Sequence, residues 1–176
     1  MDAAGSTNRS IVSRMIRAAR LDSALYEEVE HDRGATRQAA LVVVGTSIAA
    51  GIGFGIGAGD ILVLAIGVVI TLAGWAAYAW ITYFIGTRLF AGPETSADWG
   101  ELARTLGFAN TPQALLIFGV VPALAAGLIV VVSIWLLVAT VVALRAALDF
   151  STLRAIGTAL VGNIIFGVIR ALVLGV

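Results

Sequence analysis

The chain has 176 residues, 60% of them hydrophobic, and a mean hydropathy of +1.00. This composition argues against a water-soluble globular domain, and the balance of 11 basic and 11 acidic residues argues against intrinsic disorder, which needs low hydrophobicity and high net charge. Because the sequence has no cysteine and one histidine, it predicts no disulfide framework, no nitrogen- or thiolate-rich metal site and no cofactor.

Residues 1–38 form a polar head, since they hold six arginines and six acidic residues. Within the head, apolar side chains of residues 11–19 recur at helical spacing on one face and arginines occupy the other, which predicts a short amphipathic helix. This helix can lie flat on an anionic membrane surface or pack against the cytoplasmic side of the protein, and the sequence leaves both alternatives open. Residues 22–32 follow with an acidic run that is typical of a solvated helical face.

The uncharged residues 39–59 have the length of one membrane-spanning helix and begin a transmembrane domain, 39–176. The second half of this span is rich in glycines four residues apart. Small residues at that spacing let two helix backbones approach closely inside a membrane. The pattern predicts helix-packing positions at Gly51, Gly53, Gly55, Gly57 and Gly59.

A second span, 61–90, follows after one charged residue, so the two spans are predicted to form a tight hairpin. Aromatic side chains and Arg88 near its end are typical of the belt that anchors a helix at the cytoplasmic face. Residues 95–106 then predict a short amphipathic helix along the interface, capped by Ser96 and with Arg104 on its polar side.

The uncharged stretch 112–144 is too long for one span, since a single helix would extend about 50 Å against a hydrocarbon core of about 30 Å. We therefore expect a break near Pro122, with a short third span before it and a fourth over residues 124–145. A fifth span over residues 151–176 carries Asn163 near its middle.

The arginines predict the orientation of these spans. With five crossings and a cytoplasmic head, ten arginines lie inside and only Arg170 lies outside, as the positive-inside rule requires. With four crossings, nine arginines would lie inside and two outside, so the charge distribution distinguishes only weakly between four and five crossings. The length of the uncharged stretch favours five. The predicted fold is an all-α polytopic protein of the inner (plasma) membrane, with a cytoplasmic N-terminus and a C-terminus outside.

Five segments of the chain carry a resemblance to a known protein family: residues 24–30, 35–39, 106–112, 133–135 and 144–151. On these segments the chain resembles bacterial members of the Yip-domain family, the Rab- or Ypt-interacting multi-pass membrane proteins. The resemblance covers about residues 10–174. It implies five spanning helices and a cytoplasmic N-terminus.

Eukaryotic members of that family carry a Gly-Tyr-x-x-x-Pro motif after the second span, and they are associated with Rab-type GTPases and vesicle traffic. Gly107, Phe108 and Pro112 match the spacing of this motif, with Phe in place of Tyr. The family's Asp-Leu-Tyr-Gly-Pro run in the polar head is absent, and Leu25-Tyr26 is the nearest approach to it. The resemblance therefore gives no support for a GTPase partner.

The sequence favours a packing function over a chemical one. Its spans hold almost no ionisable side chains, which argues against proton-coupled transport, and the balanced head argues against nucleic-acid binding. We therefore expect no enzyme but an oligomeric scaffold, partner-binding or membrane-shaping protein, whose partners are membrane lipids and a second copy or another membrane protein. The alternative is a small channel or carrier for a lipid or an uncharged solute, with Asn163 lining its cavity.

Overall fold

The computed structural model describes residues 10–55, 60–92, 95 and 97–175. Within these ranges the helix is the only regular secondary structure and no strand occurs, which confirms the all-α prediction. The elements in chain order are α1 (Ile11–Ala19), α2 (Ser23–His31), α3 (Ala35–Gly53), α4 (Ile61–Arg88), α5 (Trp99–Ala109), a 3₁₀ helix (Thr111–Val120), α6 (Pro122–Ala147) and α7 (Thr152–Leu174).

Four helices of the described part, α3, α4, α6 and α7, are long and apolar enough to cross a membrane. They correspond to the first, second, fourth and fifth predicted spans. The predicted short third span takes a different form, because the ten residues Thr111–Val120 make a 3₁₀ helix that includes Pro112 and ends before Pro122. At a rise of about 2.0 Å per residue, this 3₁₀ helix extends about 20 Å. The predicted boundary at residues 38 and 39 lies inside α3, which begins at Ala35.

Helices α4 and α7 pack against each other in antiparallel directions. The ring of Phe90, after the end of α4, lies against Gly157 near the start of α7. Further along both helices, the rings of Tyr78 and Phe166 meet edge to face with centroids 5.6 Å apart. These contacts place the end of α4 beside the start of α7.

Helix α3 runs in the same direction as α5 and the 3₁₀ helix that continues it. Near the start of α3, Ala39 lies against Gly107 of α5. At the other end, Gly53 meets the backbone of Leu116 and Gly119. A Cβ atom on Gly53 would lie 1.8 Å from the carbonyl oxygen of Leu116, so only glycine allows this approach.

The polar head packs onto the helical bundle instead of extending into solvent. One side of α2 is fully buried, with Leu25, Tyr26 and Val29 each 0% exposed. The Tyr26 hydroxyl donates a hydrogen bond to the carbonyl of Ala18 at 3.3 Å, which joins α2 to α1. The acidic run is predicted to be a solvated face, and Glu27 is exposed, but Glu30 is buried because the apolar residues of α2 pack inward.

The sequence predicts that α5 lies along the membrane interface, but the structure places it inside the helical bundle. All residues from Leu102 to Ala109 are buried, because the helix packs against α2, α3, α4 and α6. Its cap is Asp98, whose carboxylate accepts from the amide of Glu101 at 2.9 Å, while the Glu101 carboxylate accepts from the amide of Asp98 at 2.7 Å. The predicted cap, Ser96, lies outside the described residues.

Candidate functional site

The side chain of Arg14 joins three helices at the end of the bundle that carries the head. Arg14 is only 1% exposed, although its position on α1 predicts a solvated side chain. The guanidinium donates to Glu28 at 2.8 and 3.0 Å and to Asp32 at 2.7 Å, both on or next to α2. It also donates to Gln38 of α3 at 2.9 Å. Four polar contacts on two other segments explain how an arginine is buried here.

Arg17 extends the same network along α1. It donates to Asp22 at 2.7 Å and to Glu28 at 2.6 Å, so Glu28 accepts from two arginines. The hydrogen bond from Arg17 holds the pKa of Asp22 below its usual range. Burial opposes ionisation of Glu28, but the hydrogen bonds from Arg17 and Arg14 outweigh it and keep the pKa of Glu28 lowered. The carboxylates of the acidic run therefore accept hydrogen bonds from Arg14 and Arg17 of α1.

Arg104 connects α5 to the end of α2 through backbone atoms. The residue is 6% exposed, and its Nε atom donates to the carbonyl oxygens of Val29 and Glu30 at 3.0 Å each. A second nitrogen of the guanidinium also donates to Glu30. The last carbonyls of a helix have no partner within it and carry partial negative charge, so a buried arginine is a suitable partner for them.

The carboxyl group of Glu30 is enclosed among other acidic groups. Glu30 is 6% exposed, and within the described part of the chain no hydrogen bond to its carboxylate is found. Its charged neighbours are His31 and Glu27 of α2, Glu101 of α5 and Asp149 in the turn between α6 and α7. Burial raises the pKa of Glu30 to about 7, with Glu101 and Asp149 adding to the rise and His31 opposing it.

We expect Glu30→Gln to stabilise the protein at about pH 8, by roughly 1–2 kcal/mol after solvent screening, and to have little effect near pH 4.5. The pKa of Glu30 is about 7 in the folded chain against an ordinary 4.5, so ionisation destabilises the folded state progressively between these two pH values. Above pH 7 this loss of folding stability levels off. Thermal unfolding in detergent at both pH values measures the difference, and Asp60→Asn, a change at an exposed acid that is not among the charged neighbours of Glu30, is the control. An equal effect of Glu30→Gln at both pH values would contradict this result.

Two tryptophans bind α4 and α5 to each other in a reciprocal way. The indole of Trp75 on α4 donates to the carbonyl of Ala103 on α5 at 3.0 Å, and the indole of Trp99 on α5 donates to the carbonyl of Ala76 on α4 at 3.3 Å. Trp75 therefore serves a helix contact and not the predicted aromatic belt. The exposed pair Trp80 and Phe84, stacked with centroids 5.9 Å apart, does fit the belt.

The corner formed by Gly107, Phe108 and Pro112 is a packing element in the interior. Phe108 is 0% exposed, and Gly107 and Pro112 are buried as well. A Cβ atom on Gly107 would lie 2.6 Å from the Cβ of Ala39, so glycine lets α5 approach α3 closely. The corner thus sets the direction of the chain between α5 and the 3₁₀ helix.

The predicted glycine positions divide into three groups. Gly51 and Gly53 are buried, and Gly53 makes the close contact with the 3₁₀ helix. Gly55 follows α3 at a backbone φ of +65°, where glycine is favoured, and is exposed. Gly57 and Gly59 lie outside the described residues.

Asn163 lines neither of two cavities found among the described residues. The larger, about 320 Å³, is an apolar groove between α6 and α7. The smaller, about 140 Å³, lies between α3, α4 and the 3₁₀ helix and contains the polar side chains of Ser47, Thr71 and Gln113. Asn163 is exposed on α7, and its amide nitrogen donates to the carbonyl of Ala159 at 2.9 Å.

The geometry of the described side chains at this end of the molecule joins helices. Arg14 and Arg17 bind carboxylates, and Arg104 binds backbone carbonyls. Among the described residues, no group of three or more histidines, aspartates and glutamates is placed to hold a metal ion. Sequence reasoning missed Arg14, Arg104 and Glu30 as buried residues. The spacing from Asp98 to Glu101, a capping box, was visible in the sequence.

Comparison with known proteins gives one match. Residues 23–173 match the family model of the Yip1 domain. No curated protein and no solved structure is similar enough to match. The matched region contains all four candidate membrane-spanning helices and the whole buried corner. The chain therefore belongs to the Yip1 domain family.

Proposed function

We propose that this protein is a non-enzymatic scaffold that crosses an inner (plasma) membrane five times and associates with a second copy of itself. Its N-terminus lies in the cytoplasm and its C-terminus outside. The family and the apolar helices make it a multi-pass membrane protein. The count of crossings and the scaffold function are supported by two further features of the bundle.

The parallel course of α3 and the 3₁₀ helix supports a fifth crossing. Gly107 lies beside Ala39, and Gly119 lies beside Gly53, so both segments advance together along the bundle. From Ala39 to Gly53, α3 advances about 21 Å at 1.5 Å per residue, close to the 20 Å of the 3₁₀ helix. A segment that accompanies a crossing helix over this distance crosses with it.

The membrane-facing side of α7 carries the observation on which the scaffold function depends. Asn163, Gly167 and Ala171 are all exposed, and their spacing of four places them in one stripe. A Cβ atom on Gly167 would meet nothing within 4 Å, so the notch is open. Among the described residues, no group donates to the amide oxygen of Asn163. Helices associate in a membrane through small residues that allow close packing and through polar side chains, such as an amide, that form hydrogen bonds between helices.

We expect a single cysteine in place of Ala171 to form disulfide-linked dimers in liposomes. The native chain has no cysteine, so the reaction reports only this position. Gly167→Leu in the same background should reduce the dimer fraction at least about fivefold, since a loss of roughly 1 kcal/mol of association already gives that factor.

Two matched controls accompany this experiment. A cysteine in place of Leu172, which is 80% exposed but turned about 100° away, should not give dimers. Val168→Leu adds volume beside the stripe and should leave the cross-linking at Ala171→Cys unchanged. Equal cross-linking at positions 171 and 172 would contradict a specific association through this face.

The alternative of a carrier for uncharged solutes has one feature in its favour, the polar cavity of about 140 Å³. Two of its hydroxyls already donate to their own helices, Ser47 to Val43 at 2.6 Å and Thr71 to Gly67 at 2.9 Å. Such internal bonds leave little hydrogen-bonding capacity for a solute. Solute flux from proteoliposomes that disappears in Gln113→Leu would favour the carrier over the scaffold.

A further inference from the structure

We propose that α1 is inserted among the lipids of the cytoplasmic leaflet, and that the bilayer is thinner beside α1 and the 3₁₀ helix than beside α4. This inference rests on the proposed membrane-spanning function. It identifies a specific partner of the protein, the lipid acyl chains next to one side of the bundle.

Helix α1 presents three different faces. Ile11, Met15 and Ala18 pack toward the hydrophobic core of the protein. Arg14 and Arg17 bind the acidic groups of the head. The third face is apolar but uncovered, with Val12 61% and Ile16 48% exposed. An apolar face about half the circumference of a helix, of which the protein covers only part, is typical of an interfacial helix.

A hydrogen bond fixes the depth of α1 along the bundle. The indole of Trp135 in α6 donates to the carbonyl of Ala19, the last residue of α1, at 2.9 Å. Trp135 lies ten residues before Arg145, so the end of α1 is displaced about 15 Å along α6 from the charged end of that helix. The end of α1 is therefore level with the middle of a membrane-spanning helix.

The surface next to this contact on α6 is lipid-facing in character. Val131 is 54%, Ile134 60% and Val138 41% exposed. Toward the cytoplasmic end, Ala139, Ala143 and Leu144 are buried, where α2 packs on α6. The uncovered face of α1 is apolar, like the exposed surface of α6 beside Trp135, and we assign the same neighbours to both, the acyl chains. The head covers one side of the remaining length of α6.

The lengths of the uncharged segments differ around the bundle. Residues 38–53 of α3 extend about 24 Å and the 3₁₀ helix about 20 Å. Residues 61–87 of α4 extend about 40 Å, whereas the uncharged residues 155–169 of α7 extend only about 22 Å. A hydrocarbon core is about 30 Å thick, so lipids beside the short segments are matched only by a thinner bilayer.

Spin labels on single cysteines test the insertion of α1, in vesicles of phosphatidylethanolamine and phosphatidylglycerol with chains of 16 to 18 carbons. Labels at Val12→Cys and Ile16→Cys should be accessible to oxygen and protected from a water-soluble nickel complex. Val131→Cys is the lipid-facing reference. Glu27→Cys, exposed on α2, is the water-facing reference and should be accessible to nickel.

Each other outcome has a definite meaning. If Val12→Cys and Ile16→Cys are accessible to nickel while Val131→Cys is not, the insertion of α1 is wrong and the membrane-spanning bundle stands. If Val131→Cys is also accessible to nickel, the proposed function itself fails. Protection of both α1 labels from oxygen and nickel alike means that protein covers this face, which overturns the insertion as well.

A second measurement tests the thinning directly. Fluorescent labels at Ile117→Cys in the 3₁₀ helix and at Ile70→Cys in α4 occupy exposed apolar positions, 39% and 49% exposed in the native residues. In mixtures of brominated lipids, short-chain lipid with 14 carbons should quench the label at position 117 at least about twofold more than long-chain lipid with 22 carbons. At position 70 this preference should be absent or reversed. Equal ratios at both positions would overturn the thinning.

Discussion

Arg14→Met is expected to lower the free energy of unfolding by roughly 2–3 kcal/mol and to release α1 from the head. Methionine keeps much of the apolar volume of the side chain but removes every contact with Glu28, Asp32 and Gln38. Loss of one partner from a fully buried ion pair costs about 3–5 kcal/mol. We expect less here because the side chains of Glu28 and Asp32 are 30% and 36% exposed.

Unfolding in detergent and hydrogen exchange of residues 10–34 measure this effect. Exchange in Arg14→Met should rise in the head and stay unchanged in α4 and α7, because the network does not reach those helices. Arg20→Met is the matched control, since Arg20 follows the same helix and is exposed. If both variants were equally stable, the network around Arg14 would not be what holds the head on the bundle.

Gly53→Ala is expected to separate α3 from the 3₁₀ helix and to lower the free energy of unfolding by about 1–3 kcal/mol. The added Cβ atom would lie 1.8 Å from the carbonyl oxygen of Leu116 and 2.8 Å from its carbonyl carbon. These are backbone atoms, so no side-chain rotation relieves the overlap. One of the two segments must move.

Gly45→Ala provides the comparison on the same helix. A Cβ atom there meets nothing within 4 Å, and alanine favours the helix over glycine by up to about 1 kcal/mol. We therefore expect opposite signs for the two changes in thermal unfolding experiments. Equal stability of Gly53→Ala and Gly45→Ala would mean that the close approach of α3 to the 3₁₀ helix is absent in the membrane.

The membrane-spanning helices could be predicted from sequence because they depend on composition and length. Runs without charge, such as residues 112–144, limit where a chain can cross, and Pro122 marks the break within that run. The 3₁₀ form of the short segment could not be predicted in the same way. This segment packs against Gly53, a residue 58 positions before Thr111 in the chain.

The head was harder to predict because its contacts are distant in sequence. The pattern of α1 places Arg14 on a polar face, and the side chains it binds lie 14 to 24 residues later. For Arg104, the acceptors are backbone carbonyls of Val29 and Glu30, which no side-chain pattern reveals. The burial of Glu30 follows from the same packing. By contrast, Gly107 and Pro112 were recognised by their spacing, although their function in packing required the structure.

The most direct test of the account is labelling of single cysteines in intact cells with a maleimide that does not cross membranes. A chain that crosses five times has Ile61→Cys and Gly175→Cys outside, where the reagent labels them, and His31→Cys and Ser151→Cys inside, where they are protected until the cells are opened. Protection of Gly175→Cys, or labelling of Ser151→Cys in intact cells, would contradict the five-crossing bundle.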